Sequence, residues 1–270
     1  MNNILNLYNI ELRRIYKWLL ALVGILISGN IFVIVSTIVN VINKVVAKKL
    51  TKFNIDLLKS QEAKDILAQY QISNMKQFMN LLLGLCVLIC LTYALVIWYR
   101  DVFGKSKTGY TLFMLPQNKI NVYIAKALTV ITMVYIIMLT QIVLFIISFA
   151  VMKSLAGFSS VEMSYILNPR FKGLTLIQPH FIDFIMINVI GVILAVVVIF
   201  TGVMIQKSFN IYGIILGVVY IVGSVSIFFY IAQVVQYTDE LLLYHVVYYI
   251  TLFLVSVGLS YTLINKRVCI

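Results

Sequence analysis

Residues 77–99, QFMNLLLGLCVLICLTYALVIWY, carry no charge, and residues 100–126, RDVFGKSKTGYTLFMLPQNKINVYIAK, follow at once with Arg100, Lys105, Lys107, Lys119 and Lys126. The first stretch is long enough to cross a hydrocarbon core of about 30 Å as one helix, which needs roughly 20 apolar residues. Trp98 and Tyr99 close it as amphipathic rings at a membrane boundary would, and dense positive charge beyond them predicts a cytoplasmic loop. Within that loop Tyr110, Phe113 and Met114 fall at i, i+3 and i+4. The spacing predicts a short helix with one apolar face, ended by Pro116.

The same alternation organises the rest of the chain. Of its 270 residues 62% are hydrophobic and 11% charged, with a mean hydropathy of +1.03. That is too apolar for a soluble domain, which must cover its surface with polar groups. Six runs of spanning length are expected, at 18–43, 77–99, 122–152, 181–206, 211–236 and 243–265, in a single transmembrane domain covering 1–270. Only Lys207 separates the fourth apolar run from the fifth, so those two spans are expected as antiparallel neighbours. The expected fold class is all-α: a polytopic membrane protein with six transmembrane helices and an N-terminal interfacial amphipathic helix.

That N-terminal helix is read from residues 1–17. On a 3.6-residue wheel Ile4, Leu5, Leu7, Tyr8, Leu12, Ile15 and Tyr16 share one side. Asn6, Asn9, Arg13, Arg14 and Lys17 gather opposite, with Ile10 and Glu11 as exceptions. Such a segment suits the plane of the membrane surface. The polar segment 44–76 repeats Lys44, Lys48 and Lys52 every four residues and Leu50, Phe53 and Leu57 along another face. It reads either as a solvated helical hairpin or as a basic platform for anionic lipid or an amphipathic substrate.

The net charge of +12 lies in gaps between apolar runs, where anionic headgroups are the nearer partner and nucleic acid is not expected. Placing both termini inside puts Arg13, Arg14, Lys17, Arg100, Lys105, Lys107, Lys119, Lys126, Lys207, Lys266 and Arg267 close to inner span ends. The outer segments hold nearly as many basic residues, but long segments weigh less in setting orientation.

Chemistry of other kinds is excluded residue by residue. Gly104-Lys105-Ser106 ends like a phosphate-binding loop, but Tyr99 stands where its first glycine belongs. Cys86 and Cys90 lie one helical turn apart in an apolar run and Cys269 at the chain end, a pattern of apolar fillers without a disulfide or metal framework. Asp183 and His245 fall near outer span ends. The span centres carry no charge, which points away from proton relays. Uncharged polar groups do occur there: Gln141, Asn188, Gln233 and Tyr220 are candidates for lining a pathway, or equally for hydrogen bonding between helices. Gly24 and Ser28, and Gly213 and Gly217, form small-xxx-small faces that permit close helix approach.

Taken together, the charged end of the second span, Gly104 in a turn, Gly109-Tyr110-Thr111-Leu112-Phe113-Met114-Leu115-Pro116, Asn118-Lys119 and a Lys126 opening the third span resemble the type-2 permeases of ABC transporters. Members often carry a glutamate after the second span and Ser-Arg after the proline; this chain has Arg100-Asp101 and Asn118-Lys119, so the likeness is one of position and character. The resemblance implies that Gly104, Tyr110, Leu112, Phe113, Met114, Leu115, Pro116 and Lys119 form a coupling loop that rests on a cytosolic ATPase. It implies ATP and Mg on that partner and no cofactor on this chain, which is then a transport subunit and not an enzyme. It further implies pairing with a second permease copy or homologous permease, with Gly24, Ser28, Gly213 and Gly217 as interface candidates. Gram-positive exporters of amphipathic peptides, such as phenol-soluble modulin exporters and lantibiotic-immunity permeases, are the most similar in size. The short connection around Thr238-Asp239-Glu240 leaves no room for the re-entrant helices of polysaccharide exporters. The expectation is export of an amphipathic peptide or drug across a bacterial cytoplasmic membrane, both termini cytosolic. Alternatives are a membrane-embedded enzyme acting on lipid or peptide and an ion-coupled secondary transporter.

Overall fold

The computed structural model describes residues 2–49, 64, 72–103, 119–156, 185–234 and 238–266. All five long elements among them are α-helices: α1 (Asn2–Lys49), α2 (Ile72–Phe103), α3 (Lys119–Ala156), α4 (Gly191–Val234) and α5 (Thr238–Lys266). One π-helical turn, Ile185–Ile190, leads into α4. Helix is the only economical choice for such sequences, because hydrocarbon offers no partners to backbone N–H and C=O groups. Hydroxyls in the runs follow the same rule by bonding to their own helix. Thr37 and Ser36 both donate to Val33 O, Thr129 to Ala125 O and Thr140 to Ile136 O, all at 2.8–2.9 Å.

Among the described residues six stretches are long and apolar enough to cross a membrane: Ile4–Ala47, Gln77–Arg100, Ile120–Ser154, Asn188–Phe209, Tyr212–Ile231 and Leu243–Ile264. The protein is therefore an all-α, multi-pass membrane protein, as the apolar runs predict. Two details differ. Helix α1 is unbroken from Asn2 to Lys49, so the amphipathic N-terminal segment and the first span are one continuous helix. Its apolar stretch of 44 residues would measure roughly 66 Å if straight, about twice the hydrocarbon thickness. The excess length has to lie outside the core or along its surface.

The second detail is α4, which holds both the fourth and the fifth span. A Cβ placed on Gly217 would meet Gly202 O at 2.6 Å, and one on Gly213 would meet Gln206 O at 2.5 Å. Residues this far apart in sequence touch only if the chain doubles back. Both pairs centre near Phe209, so helical chain reverses within a few residues there and forms two antiparallel arms, as the lone Lys207 leads one to expect.

The chain divides into two compact units. Unit 1 comprises residues 1–16, 88–134 and 180–270; unit 2 comprises 17–87 and 135–179. In unit 1, Ala94, Ile97 and Trp98 of α2 pack with Tyr123, Ala127 and Val130 of α3, with Val196, Phe200, Val203 and Met204 of α4, and with Ile264 of α5. In unit 2, Val33, Val41, Ile42 and Val45 of α1 pack with Met75 and Met79 of α2 and Met152 of α3. Cys86 and Cys90 are buried and unbridged, filling space as small apolar groups do.

Candidate functional site

The last turns of α2 and the first turns of α3, all in unit 1, carry the densest chemistry among the described residues. They flank residues 104–118, which lie outside the described residues. Gly104, Tyr110, Leu112, Phe113, Met114, Leu115 and Pro116 fall there, and Lys119 contributes only the start of α3.

On the α2 side, Arg100 reaches Glu11 and Tyr93. Its Nη2 donates to Glu11 Oε2 at 2.7 Å and its Nη1 to the Tyr93 hydroxyl at 3.1 Å. Glu11 also faces Arg14, one turn along α1, at 3.5 Å. The carboxylate side chain is only 6% exposed, whereas Arg100 is 35% and Arg14 42% exposed. A buried carboxylate shared by two guanidinium groups keeps its charge compensated where water is scarce. This accounts for the exception on the helical wheel. The packed stripe of the N-terminal segment runs Ile4, Leu7, Tyr8, Glu11, Leu12 and Ile15, with Glu11 and Ile15 buried, while Leu5 and Tyr16, placed on the apolar side from sequence, are exposed.

On the α3 side, Lys126 is 2% exposed. Its Nζ donates to Ile97 O at 3.2 Å and lies 4.5 Å from the centre of the Trp98 ring. Trp98 meets Phe200 edge to face at 5.5 Å, and Tyr123 meets Phe200 likewise at 5.4 Å. An ammonium over an indole face is attracted by the ring quadrupole, most strongly when water is excluded. Lys126 is thus a buried structural cation, where its place in a basic loop suggests a solvated one. Trp98 is corrected too: it is 2% exposed and packs inward, while Tyr99 beside it is 37% exposed. A single sequence shows neither, because the partners of both come from other helices.

Thus each root of the 104–118 segment is fastened. Arg100 ties the end of α2 to the N-terminal helix, and Lys126 ties α3 back to the carbonyl and ring of two consecutive α2 residues.

A second polar region joins α4 and α5. Thr201 Oγ1 lies 2.8 Å from Val197 O, 3.2 Å from Ser256 O and 2.9 Å from Ser260 Oγ. The Tyr220 hydroxyl is 2.6 Å from Ser256 Oγ, and Tyr248 donates to Ser224 O. These bonds link both arms of α4 to α5, so Tyr220 is engaged between helices. The Tyr123 hydroxyl is buried beside Thr201 and Ser260 without hydrogen-bond geometry to either. His245 sits edge-on to Phe228 and Tyr249 at ring separations of 5.0 and 6.3 Å.

The remaining candidates are dispersed. Gln141 is buried in unit 2 and exchanges two hydrogen bonds with Asn30, at 3.0 and 3.1 Å. Asn188 lies in the π-helical turn before α4, its Nδ2 buried with no hydrogen-bond partner. Gln233 falls in the last turn of α4, its side chain outside the described residues, as is Asp183. Gly213 and Gly217 face the first arm of α4, so close packing within the chain accounts for their small size. Gly24 has open space where a Cβ would stand, and Ser28 beside it is exposed. Among the described residues no three His, Cys, Asp or Glu side chains gather as a metal site. Compared with known proteins, the chain matches no family model, no curated protein and no solved structure.

Proposed function

We propose that this chain is the membrane-spanning subunit of an ATP-driven exporter, working with a cytosolic ATPase and a second permease copy or homologue. One observation carries the reading: the segment between α2 and α3 is fastened at both roots, by Arg100 to Glu11 and by Lys126 to Ile97 and Trp98. A segment that receives a push needs such roots. Displacement of residues 104–118 then passes into α2, α3 and the N-terminal helix together, since breaking a mated buried charge costs more than moving its helix. In this reading Leu112–Pro116 dock on the ATPase, ATP and Mg stay on that partner, and both termini lie in the cytosol of a bacterium. The cargo is an amphipathic peptide or antimicrobial compound.

Purification of the tagged chain from its native host, followed by identification of what accompanies it, tests the reading. A co-purifying ATPase is expected, and the double substitution Phe113→Asp and Leu115→Asp should release it while leaving the permease intact in the membrane. Transport by the purified chain alone under an ion gradient would replace this reading with that of a secondary transporter.

A further inference from the structure

Unit 2 contains a cavity of about 630 Å³, well inside the range of ligand pockets, about 300–1,000 Å³. It is built where α1 ends and α2 begins, and its lining is graded. Asn40, Asn43 and Lys44 of α1 and Asn74 of α2 stand at the helix-end side, all exposed; Phe32 of α1 and Phe78 of α2 lie deeper along their helices. Phe32 is 72% and Phe78 59% exposed, large rings left uncovered on a membrane-spanning surface. Phe32, Asn40, Asn43 and Lys44 recur on one face of α1, and Phe32 precedes Lys44 by roughly 18 Å at 1.5 Å per residue. The site is therefore amphipathic along its length: polar donors at the bilayer boundary, aromatic walls within it.

We propose that this cavity binds an anionic phospholipid, its phosphate diester at Lys44 and the three asparagines and an acyl chain along Phe32 and Phe78. Among the described residues the lining holds one cation and no acid, which selects a net negative head over a zwitterionic one. Each carboxamide offers two N–H donors, suited to phosphate and glycerol oxygens that Lys44 alone leaves unsatisfied. A free phosphate would gain the head contacts but nothing from the rings. Neither orientation in the membrane nor coupling to an ATPase enters the proposal, so it stands or falls apart from the exporter reading.

The test is native mass spectrometry of the full chain in detergent, titrated with phosphatidylglycerol or with phosphatidylcholine of the same chains. One tightly held phosphatidylglycerol is expected, with phosphatidylcholine about fivefold weaker, the factor that one basic residue near a lipid headgroup represents. Lys44→Gln should erase that preference and Lys44→Arg should keep it. Lys153→Gln, an equally exposed lysine next to Met152 of the same unit, should change nothing. Lys44 is exposed, so its variants should elute and melt as the parent does; the pair Asn40→Ala with Asn43→Ala, also at exposed positions, should weaken binding independently of charge. Equal affinity for the two lipids, an unaltered preference in Lys44→Gln, or displacement of the lipid by inorganic phosphate alone would each overturn the proposal.

Discussion

The two compact units handle charge in opposite ways. Unit 1 buries Glu11 and Lys126 and supplies each with partners from another helix. Unit 2 buries neutral amides, Asn30 against Gln141, and leaves Lys44 exposed in the lining of a cavity. A buried charge must be mated, and mating fixes geometry, so unit 1 suits the transmission of a displacement. An exposed cation lining a cavity retains its capacity to take a ligand. The two units thus differ in how they carry polarity, one by mated charges and the other by neutral amides and an exposed lysine, although both are cut from the same apolar helices.

The sharpest way to break this contrast is to undo unit 1 where its helices approach most closely. Gly217→Leu drives a side chain into the backbone of Gly202, 2.6 Å from where its Cβ would stand. Overpacking against backbone should cost about 3 kcal/mol or more, read as a large drop in the thermal midpoint of the detergent-solubilised protein. Unchanged melting would mean that the arms of α4 do not meet there. Next in size is Glu11→Gln, which strips the carboxylate from Arg100 and Arg14. Arg100 is a third exposed, so the loss should be about 2 kcal/mol, between the values for surface and buried pairs. Lys126→Met removes the hydrogen bond to Ile97 O and the contact with the Trp98 ring and should cost about 1–3 kcal/mol, the range for a hydrogen bond to a charged group and a desolvated cation–ring contact. If unit 1 transmits a displacement, the same variant should lower transport more than stability.

For unit 2 the prediction is one of coupling. Asn30→Leu or Gln141→Leu alone leaves a buried amide without its partner and should cost about 1–2 kcal/mol. The double variant should be less destabilised than the two single effects combined, with a coupling of about 0.6–1.7 kcal/mol, measured as a double-mutant cycle on unfolding. Strict additivity would show that the pair does not act as one. Smallest is Gly24→Leu: with nothing near its Cβ, monomer stability should stay within about 0.5 kcal/mol. The expected change is in self-association, followed by crosslinking or sedimentation in detergent.

Much of the fold was legible because membrane insertion is a local property. A run such as Gln77–Tyr99 declares itself without reference to any other part of the chain, and the lone Lys207 announced the reversal within α4. What escaped was every feature that depends on a distant partner. Glu11 stood out on the wheel, but its meaning lies 89 positions away in Arg100. Lys126 looked like one more basic loop residue until Ile97 and Trp98 were seen beneath it. The π-helical turn at Ile185–Ile190 left no mark in hydropathy, which averages over the few residues involved. Gly213 and Gly217 were recognisable as small residues for close packing, but spacing alone does not say whether the approaching helix belongs to the same chain. Residues 104–118, on which the resemblance to a coupling loop rests, lie outside the described residues.

The reversal near Phe209 bears on how the molecule is made. With no hydrophilic stretch between the fourth and fifth spans, nothing has to be translocated or held back after the former has emerged from the ribosome. The close approach of the two arms of α4 ties the direction of each to that of the other. Whichever way the first arm crosses, the second crosses the opposite way, so the charges flanking the pair bear on both spans at once.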